Sequence, residues 1–335
     1  MDPEGRAVRP PAVVLGAGGF VGRAVCAALR EAGRPVVAVV RRPPDRALPQ
    51  GCRTLTLDIV RTDPATLAAE LASLRPGVVV NAAGALWSVT RDDDLTAGNI
   101  TLVERLVAAV AATEGPVRLV HIGSAYEYGS HPGRTRLAES LPGRPAGRYA
   151  RTKLAGTRVV TDAVAEGRID AVVLRIAVSV GPFASPHSLL GGIAHRIAER
   201  PDVVRLPVIG GVRDVVDVRD VAAAVLSAVR AHTVPPLVNV GSGVGVRLTE
   251  AVDTLLRITG TDPATATIVP GPEPALRRDA GIGEQPLDIG LARRELGWVP
   301  VRTLADALQA LWDSVRHTTT ASPSTIAADG ESIHG

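Results

Sequence analysis

Short aliphatic runs alternate with longer amphipathic segments along the first half of the chain, and this alternation constrains the fold more than any other feature. The runs are rich in Val and carry few charges, as expected for strands covered by helices on both faces. Alternating strands and helices are typical of a parallel sheet, because a parallel pair needs a crossover connection. We therefore predict an α/β fold with a doubly wound parallel sheet.

The predicted elements follow one another regularly up to residue 182. Strands are predicted over 12–17, 35–40, 54–59, 77–83, 117–124 and 170–178. Helices are predicted to end near 32 and to span about 64–75, 95–113 and 148–166. Beyond residue 182, Gly and Pro become frequent, and the predicted helices near 188–199 and 219–231 stand alone.

This change in rhythm predicts two structural units between two tails. The main domain is predicted to comprise 11–182 with 214–240, and a smaller α/β lobe to comprise 183–213 with 241–316. Residues 1–10 are polar and contain Pro, whereas 317–335 are rich in Ser and Thr. Both ends are predicted to be flexible tails.

Composition and charge exclude several classes of protein. The 335 residues are 46% hydrophobic but only 2% aromatic, so the chain can bury a large core of Val, Leu, Ile and Ala. The 37 basic and 34 acidic residues form no basic run, which predicts no nucleic-acid partner. No apolar run reaches the roughly 18 residues of a spanning helix, and the N-terminus lacks a signal-peptide core, so no membrane partner is predicted.

The two cysteines, Cys26 and Cys52, lie far apart in the sequence, and neither has a Cys or a ladder of His nearby. This spacing fits neither a disulfide framework nor a zinc site, so no metal is predicted. A reducing cytoplasm is the simplest compartment for such a chain.

A glycine-rich loop follows the first predicted strand and leads directly into an amphipathic helix. The loop reads Gly16-Ala17-Gly18-Gly19-Phe20-Val21-Gly22. Its glycines allow a tight turn, a close approach of backbone N–H groups to a pyrophosphate, and close packing of the helix on the strand. A plain tight turn is the alternative, but the strand–loop–helix context favours a dinucleotide site formed by Gly16, Gly19, Phe20, Val21 and Gly22.

Two arginines, Arg41 and Arg42, follow the second predicted strand. A site that prefers NAD usually carries an acid at this point to bind the ribose 2′-hydroxyl. No acid precedes Asp45 here, and guanidinium groups suit a 2′-phosphate. The pair therefore predicts NADP(H) rather than NAD(H), with two arginines that merely solvate a loop as the alternative.

Lys153 is the only lysine among the 37 Lys and Arg residues of the chain. It follows Tyr149 by four residues, so the two side chains share one face of the predicted helix. An adjacent ammonium is expected to lower the pKa of a phenol, which could then exchange a proton with a carbonyl oxygen. An accidental pair on a helix surface is the alternative.

Ser124 closes the strand predicted over 117–124 and should therefore lie at the carboxyl edge of the sheet, where ligands of such folds bind. Its hydroxyl could bind the same substrate oxygen that Tyr149 protonates. A serine at the end of a strand is commonly an ordinary turn residue, and only the Tyr/Lys helix favours the functional interpretation.

Six motifs in this order give the chain a family resemblance. They are GAGGFVG, NAAG, HIGSAYEYG, YARTK, RDVVDVRDVA and LDIGLARRELGWVP. From residue 12 to about 315 the chain resembles the extended short-chain dehydrogenases/reductases, especially those that epimerise or reduce nucleotide-linked sugars. The resemblance implies a Rossmann domain with a C-terminal substrate lobe, and it makes Ser124, Tyr149 and Lys153 the catalytic trio.

The resemblance also assigns roles around the cofactor. Asp58 and Ile59, at the end of the third predicted strand, correspond to adenine contacts. The segment Ala82, Ala83 and Gly84 corresponds to a loop along the cofactor.

The resemblance assigns functions to two further residues, and each of them also has an alternative interpretation. Asn99 corresponds to an asparagine behind the active site that holds backbone or water, although it could be an ordinary polar helix residue. Arg213 corresponds to an arginine that grips the diphosphate of the substrate, and the alternative is a surface salt bridge to the adjacent acid.

The chain departs from the family at two places. Val178 stands where sugar-nucleotide members usually carry an asparagine, which removes an expected polar contact. Ala125 and Tyr126 stand where the 4,6-dehydratases carry an Asp-Glu pair, which argues against water elimination.

The leading hypothesis is an NADPH-dependent ketoreductase acting on the 4-keto group of a nucleotide-activated (dTDP-type) 6-deoxysugar in a bacterial sugar or natural-product pathway. An NAD-dependent nucleotide-sugar epimerase and a ketoreductase of a non-sugar natural-product ketone are the catalytic alternatives. A cofactor-sensing regulator is disfavoured, because such proteins tend to lose the tyrosine or the lysine. Relatives often dimerise through two helices, and the resemblance therefore implies a homodimer through 95–113 and 148–166.

Overall fold

The computed structural model describes residues 9–44, 46–86, 91–199, 205–206, 211–262, 267–268 and 285–320. The strands are β1 (Ala12–Leu15), β2 (Val36–Val40), β3 (Cys52–Thr56), β4 (Val78–Asn81), β5 (Arg118–Ser124), β6 (Asp170–Ile176), β7 (Val178–Val180), β8 (Arg205–Leu206), β9 (Val212–Asp217), β10 (Leu237–Val240), β11 (Gly245–Arg247) and β12 (Thr267–Ile268). The helices are α1 (Phe20–Glu31), α2 (Pro64–Leu74), α3 (Asp92–Thr96), α4 (Leu102–Ala111), α5 (Arg148–Ala165), α6 (Leu189–Glu199), α7 (Val218–Arg230), α8 (Leu248–Thr259), α9 (Gly290–Leu296) and α10 (Leu304–Thr320).

The main sheet of the described chain has seven parallel strands in the order β10-β6-β5-β4-β1-β2-β3. The chain runs outward from β1 through β2 to β3 and then returns to build β4, β5, β6 and β10 on the other side. This reversal places a crevice between β1 and β4, at the carboxyl ends of the strands. The predicted doubly wound parallel sheet is confirmed.

Helices cover both faces of this sheet, which explains why β1, β2 and β4 are buried along their whole length. One face packs against α1 and α7 through residues such as Val25, Leu29 and Val225. The other face packs against α2, α4 and α5 through residues such as Leu67 and Leu106. The edge strand β3 is mostly exposed. The homodimer expected through the region of α4 and α5 stays a prediction.

A second lobe follows β6 after a single residue. Strands β7, β9 and β11 form a three-stranded sheet in the order β11-β9-β7, and β8 pairs with β12. Helices α6, α8 and α10 pack together around a separate apolar core that includes Ile193, Leu255 and Leu311. Strand β9 thus belongs to the small sheet, and the chain returns to the main sheet with α7 and β10 rather than at residue 214.

Some element boundaries differ from those expected. The third strand ends at Thr56, so Asp58 and Ile59 lie in the loop after it rather than at its end. The helix predicted over 95–113 is α3 and α4 joined by a π-helical turn, Ala97–Thr101. Helix α10 extends to Thr320, past the expected start of the tail at 317. Most of that tail, and residues 1–8 of the other, lie outside the described residues.

Within the described parts of the chain, no helix has both the length and the apolar character needed to cross a membrane.

Candidate active site

A cleft of about 1230 Å³ opens at the carboxyl ends of the main strands and extends to the second lobe. The predicted site residues that line it are Gly16, Gly19, Phe20, Val21, Arg41, Arg42, Asp58, Ile59, Ala82, Ala83, Gly84, Ser124, Tyr149, Lys153 and Arg213. The fold therefore brings together the residues from β1 to β9 that the sequence and the family resemblance named as site candidates.

The glycine loop is shaped by close backbone contacts. Gly16 has φ +71°, and a Cβ there would lie 2.7 Å from the backbone of Ala82 and Ala83. A Cβ on Gly22 would lie 2.1 Å from the carbonyl oxygen of Gly16, so Gly22 lets α1 pack against the loop without lining the cleft. The first amides of α1, which follow Gly19, have no intrahelical acceptor and are suited to bind a phosphate.

The region beyond β2 and β3 adds charge and shape at the same end of the cleft. Arg41 and Arg42 are exposed and line the cleft directly after β2. The carboxylate of Asp58 accepts hydrogen bonds from the amides of Val60 (3.1 Å) and Arg61 (3.3 Å) and thereby shapes the turn beside them. A glycine-lined helix terminus with two nearby guanidinium groups fits a dinucleotide phosphate.

Asn99 holds the loop that runs along the cleft after β4. Its amide oxygen accepts from the Ala85 amide at 3.0 Å, and its amide nitrogen donates to the Ala85 carbonyl at 3.1 Å and to the Thr152 hydroxyl at 3.0 Å. A Cβ on Gly84 would lie 2.8 Å from the Asn99 oxygen, which explains the glycine there. The backbone-holding function implied by the family resemblance is therefore present.

Ser124, Tyr149 and Lys153 all line the cleft. Ser124 is the last residue of β5, and its side chain hydrogen-bonds with Tyr149, which lies in the first turn of α5. Lys153 is buried one turn further along α5, and its Nζ donates to the carbonyl of Ile122 at 2.6 Å. These three groups thus face the same crevice as the glycine loop.

The pKa of Tyr149 is shifted opposite to the direction expected from the sequence. Burial raises the pKa of the Tyr149 phenol, the neighbouring Tyr126 and Glu127 raise it further, and the hydrogen bond with Ser124 opposes them. Burial also lowers the pKa of Lys153, against the effect of the Glu127 carboxylate. The expectation that Lys153 sets the pKa of Tyr149 below its ordinary value is wrong for this structure, because burial, Tyr126 and Glu127 together outweigh the hydrogen bond with Ser124.

Arg213 reaches the cleft from β9 of the second lobe. It hydrogen-bonds with the Tyr126 hydroxyl, whose pKa burial raises to about 12. The Tyr126 ring meets the Tyr149 ring edge-on, with centroids 6.0 Å apart. The adjacent acid Asp214 instead accepts hydrogen bonds from Ser242, Gly243 and Leu287. Among the described residues, the alternative of an Arg213–Asp214 salt bridge is therefore not realised.

Sequence analysis missed the buried ion pair of Glu127 and Arg175 directly behind Ser124. Their side chains are 0% and 3% exposed, and Arg175 Nη2 lies 2.8 Å from Glu127 Oε2. A signal was present in the sequence, since Ser124-Ala125-Tyr126-Glu127 has the S-x-x-E pattern of a capping box. The described residues contain no group of three or more His, Cys, Asp or Glu side chains that could hold a metal.

The two cysteines contact each other, which their separation in the sequence did not suggest. Cys26 of α1 and Cys52 of β3 are both free thiols and share a hydrogen bond. Burial raises the pKa of Cys26 to about 12, so this thiol is not activated.

The chain matches the model of the NAD dependent epimerase/dehydratase family over residues 12–241. It is 40% identical over 308 residues to a dTDP-6-deoxy-L-talose 4-dehydrogenase (NAD(P)(+)) of Kitasatospora kifunensis, which covers 89% of this chain and 93% of that relative. It is 32% identical over 171 residues to a dTDP-4-keto-6-deoxy-D-glucose reductase of Streptomyces niveus, which covers 49% of this chain and 51% of the relative.

The fold is similar to that of a solved UDP-glucose 4-epimerase with UDP-glucose from Thermotoga maritima. The TM-score is 0.81 at 22% identity, over 92% of this chain and 99% of the other. This likeness concerns the fold, whereas the family match and the 40% identical relative concern the chemistry as well. The chain is an NAD(P)-dependent oxidoreductase, and it belongs to the NAD dependent epimerase/dehydratase family of extended short-chain dehydrogenases/reductases.

Proposed function

We propose that the protein is an NADPH-dependent ketoreductase that reduces the 4-keto group of a nucleotide-activated, dTDP-type 6-deoxysugar in a bacterial sugar or natural-product pathway. The observation that carries this proposal is the Ser124–Tyr149 hydrogen bond in a cleft that also contains Lys153 and the glycine loop. The names of the 40% and 32% identical relatives, a 4-dehydrogenase and a 4-keto reductase, describe the two directions of this type of reaction.

A bound nicotinamide cofactor supplies the hydride equivalent for the reduction. Tyr149 donates its proton to the oxygen of the former ketone, while the Ser124 hydroxyl orients that oxygen by a hydrogen bond. Lys153 would hold the ribose of the cofactor and would place a positive charge beside the reacting groups. A phenol with its ordinary pKa of about 10 is already protonated at neutral pH, and burial raises the pKa of Tyr149 further, so the proton to be donated is present.

The phosphate end of the cleft supports the choice of NADPH. Arg41 and Arg42 lie after β2, where a 2′-phosphate would need cationic donors. The name of the 40% identical relative includes both NAD and NADP, so the preference of this chain has to be measured on the chain itself.

The other end of the cleft supports a 6-deoxysugar. Arg213 offers a guanidinium group for a diphosphate, and the apolar side chains of Val178, Leu189 and Leu248 line the same cleft. Apolar side chains suit the methyl group of a 6-deoxysugar, and position 178 lacks the amide that the resemblance led us to expect. In this proposal the unit that carries the main sheet binds the cofactor, and the second lobe binds the sugar nucleotide.

The test is an assay of purified protein with a dTDP-4-keto-6-deoxysugar, in which NADPH consumption and sugar products are both measured. We expect loss of the reduced-nicotinamide absorbance and formation of a 4-hydroxy sugar. Conversion of one sugar epimer into another with tightly retained NAD and no net consumption would instead establish the epimerase. Turnover of a simple ketone that millimolar dTDP does not inhibit would establish the non-sugar ketoreductase.

The Tyr149→Phe variant is the control for the assigned chemistry. It should lower turnover by about 10²- to 10⁴-fold, because a general acid contributes that much. NADPH should still raise the melting temperature of the variant, since the phenol hydroxyl is not needed to form the phosphate end of the cleft. Unchanged turnover would remove the proton-transfer function assigned to Tyr149.

A further inference from the structure

Directly behind Ser124, the carboxylate of Glu127 is completely buried. Its Oε1 accepts a hydrogen bond from the backbone amide of Ser124 at 2.7 Å. In return, the Ser124 hydroxyl oxygen accepts from the amide of Tyr126 at 3.3 Å, which completes a capping box around the turn Ala125–Glu127. The orientation of Ser124 at the end of β5 is therefore fixed by Glu127.

A buried carboxylate needs a partner, and Arg175 provides it. Arg175 Nε and Nη2 lie 2.9 and 2.8 Å from Glu127 Oε2, and the guanidinium carbon lies 4.3 Å from the centroid of the Tyr128 ring. The parallel register of β5 and β6 pairs Gly123 with Arg175, so the arginine is placed by the main sheet. Glu127 Oε1 thus binds the Ser124 amide, whereas Glu127 Oε2 binds Arg175 on the neighbouring strand β6.

The site leaves room for this carboxylate at Gly123. A Cβ on Gly123 would lie 3.0 Å from Glu127 Oε1 and 2.9 Å from a methyl group of Val173. Any side chain at 123 would therefore push against the carboxylate or the core.

Glu127 also acts on the proposed catalytic groups through its charge. It opposes the effect of burial on the pKa of Lys153, and it raises the pKa of Tyr149. These two groups face it from α5, Arg175 faces it from β6, and the neutral His121 of β5 lies near Lys153. A negative charge at 127 therefore favours a protonated phenol beside a protonated ammonium.

We infer that Glu127 is a positioning residue of the proposed reduction, which holds Ser124 in line with Tyr149. This inference rests on the proposed function, because it acts through the groups to which that function assigns the chemistry. Glu127 itself does not line the cleft and is not expected to touch the substrate.

The first test is the Glu127→Gln variant of the full chain. We expect kcat for the reduction to fall about 10- to 100-fold, because a small displacement of a group that contacts the reacting atom is enough for such a loss. The KM for the sugar should stay within about twofold, since ground-state binding is not affected. The alkaline limb of the pH profile should move to lower pH, because loss of the negative charge lowers the pKa of both Tyr149 and Lys153.

A double-mutant cycle with Ser124→Ala separates positioning from a general structural effect. If Glu127 acts mainly through Ser124, Glu127→Gln should lower kcat by less than about threefold in the Ser124→Ala background. Asp220→Asn is the matched control, because it removes the charge of another buried carboxylate that pairs with an arginine, Arg302, and does not line the cleft. It should lower the melting temperature while leaving kcat and the pH profile unchanged.

Two further measurements test whether Glu127 positions Ser124 or only stabilises the fold. Hydrogen exchange of the Ser124 amide should be faster in Glu127→Gln, and this readout remains valid if the proposed sugar reduction itself is not found. If Glu127→Gln does not fold, Glu127→Gln with Arg175→Met removes both charges and should give the same kinetic result. A lower melting temperature with unchanged kcat, pH profile and Ser124 exchange would show that the pair only stabilises the fold and would overturn the inference.

Discussion

The two ends of the cleft are built in different ways. At the phosphate end, one continuous segment around Gly16 and Gly22 shapes the site through its backbone. At the chemical end, side chains from separate elements meet, such as Ser124 from β5, Tyr149 from α5 and Arg213 from β9. The shape of the phosphate end depends on glycines, which have no side chain. The chemistry of the other end depends on which side chains are present.

The two ends should therefore respond differently to mutation. A backbone-built site fails when a side chain is added, whatever its chemistry, because the space is already filled. A side-chain-built site fails when a charge or hydrogen-bonding group is lost, while the shape of the cleft survives. Mutations at the two ends should therefore have separable effects on cofactor binding, substrate binding and stability.

The largest effect is expected at Gly16, where the site depends most directly on the absence of a side chain. Gly16→Ala places a Cβ 2.7 Å from the backbone of Ala82 and Ala83, which must move. We expect NADPH affinity to fall by about 100-fold, which removes about 2.7 kcal/mol of ligand-linked stability at saturating cofactor. Thermal shift with and without NADPH measures both quantities.

Gly33→Ala is the matched control for Gly16→Ala. Gly33 has φ +73°, close to the +71° of Gly16, but a Cβ there would meet nothing within 4 Å. Both variants carry the same backbone strain of about 1 kcal/mol, and only Gly16→Ala adds the collision. Equal losses of NADPH affinity in the two variants would show that strain alone, and not the close approach of the loops, matters at the phosphate end.

A smaller effect is expected at Arg213, at the substrate end. Arg213→Met should raise the KM for the sugar nucleotide by about 10- to 100-fold, as expected for the loss of hydrogen bonds to a charged group. Inhibition by dTDP should weaken in parallel, whereas the KM for NADPH should not change. The exposed Arg247 of β11, which does not line the cleft, provides the control Arg247→Met. Undiminished dTDP inhibition in Arg213→Met would contradict the diphosphate function.

The phosphate end could be predicted from the sequence because its determinants are local. A glycine spacing directly after a Val-rich strand specifies both the turn and the close approach. The position of Ser124 in the cleft also followed, because strand ends in a parallel sheet meet at one edge, and the four-residue spacing placed Tyr149 and Lys153 on one face of α5. Their cofactor and catalytic functions themselves stay predictions until the variants are measured.

The missing parts of the prediction depend on tertiary neighbours. The direction of the Tyr149 pKa shift follows from burial, which no spacing along the chain reveals. The pairing of Glu127 with Arg175 follows from the β5–β6 register. The π-helical turn that contains Asn99 has no periodic signal of its own, and its position became visible only with the contacts to Ala85.

The smallest effect is expected at Arg41 and Arg42, whose side chains lie at the end of the cleft that is shaped mainly by backbone. Both are exposed, so their attraction to a 2′-phosphate is screened by salt. Replacement of both by Ala should weaken NADPH binding about tenfold, leave NADH binding nearly unchanged and flatten the salt dependence of NADPH binding. Arg53→Ala is the control, because Arg53 is exposed on β3 and does not line the cleft. If the wild-type chain binds NADH as tightly as NADPH at low salt, the arginines do not select the cofactor, and this end of the cleft is specified by its backbone alone.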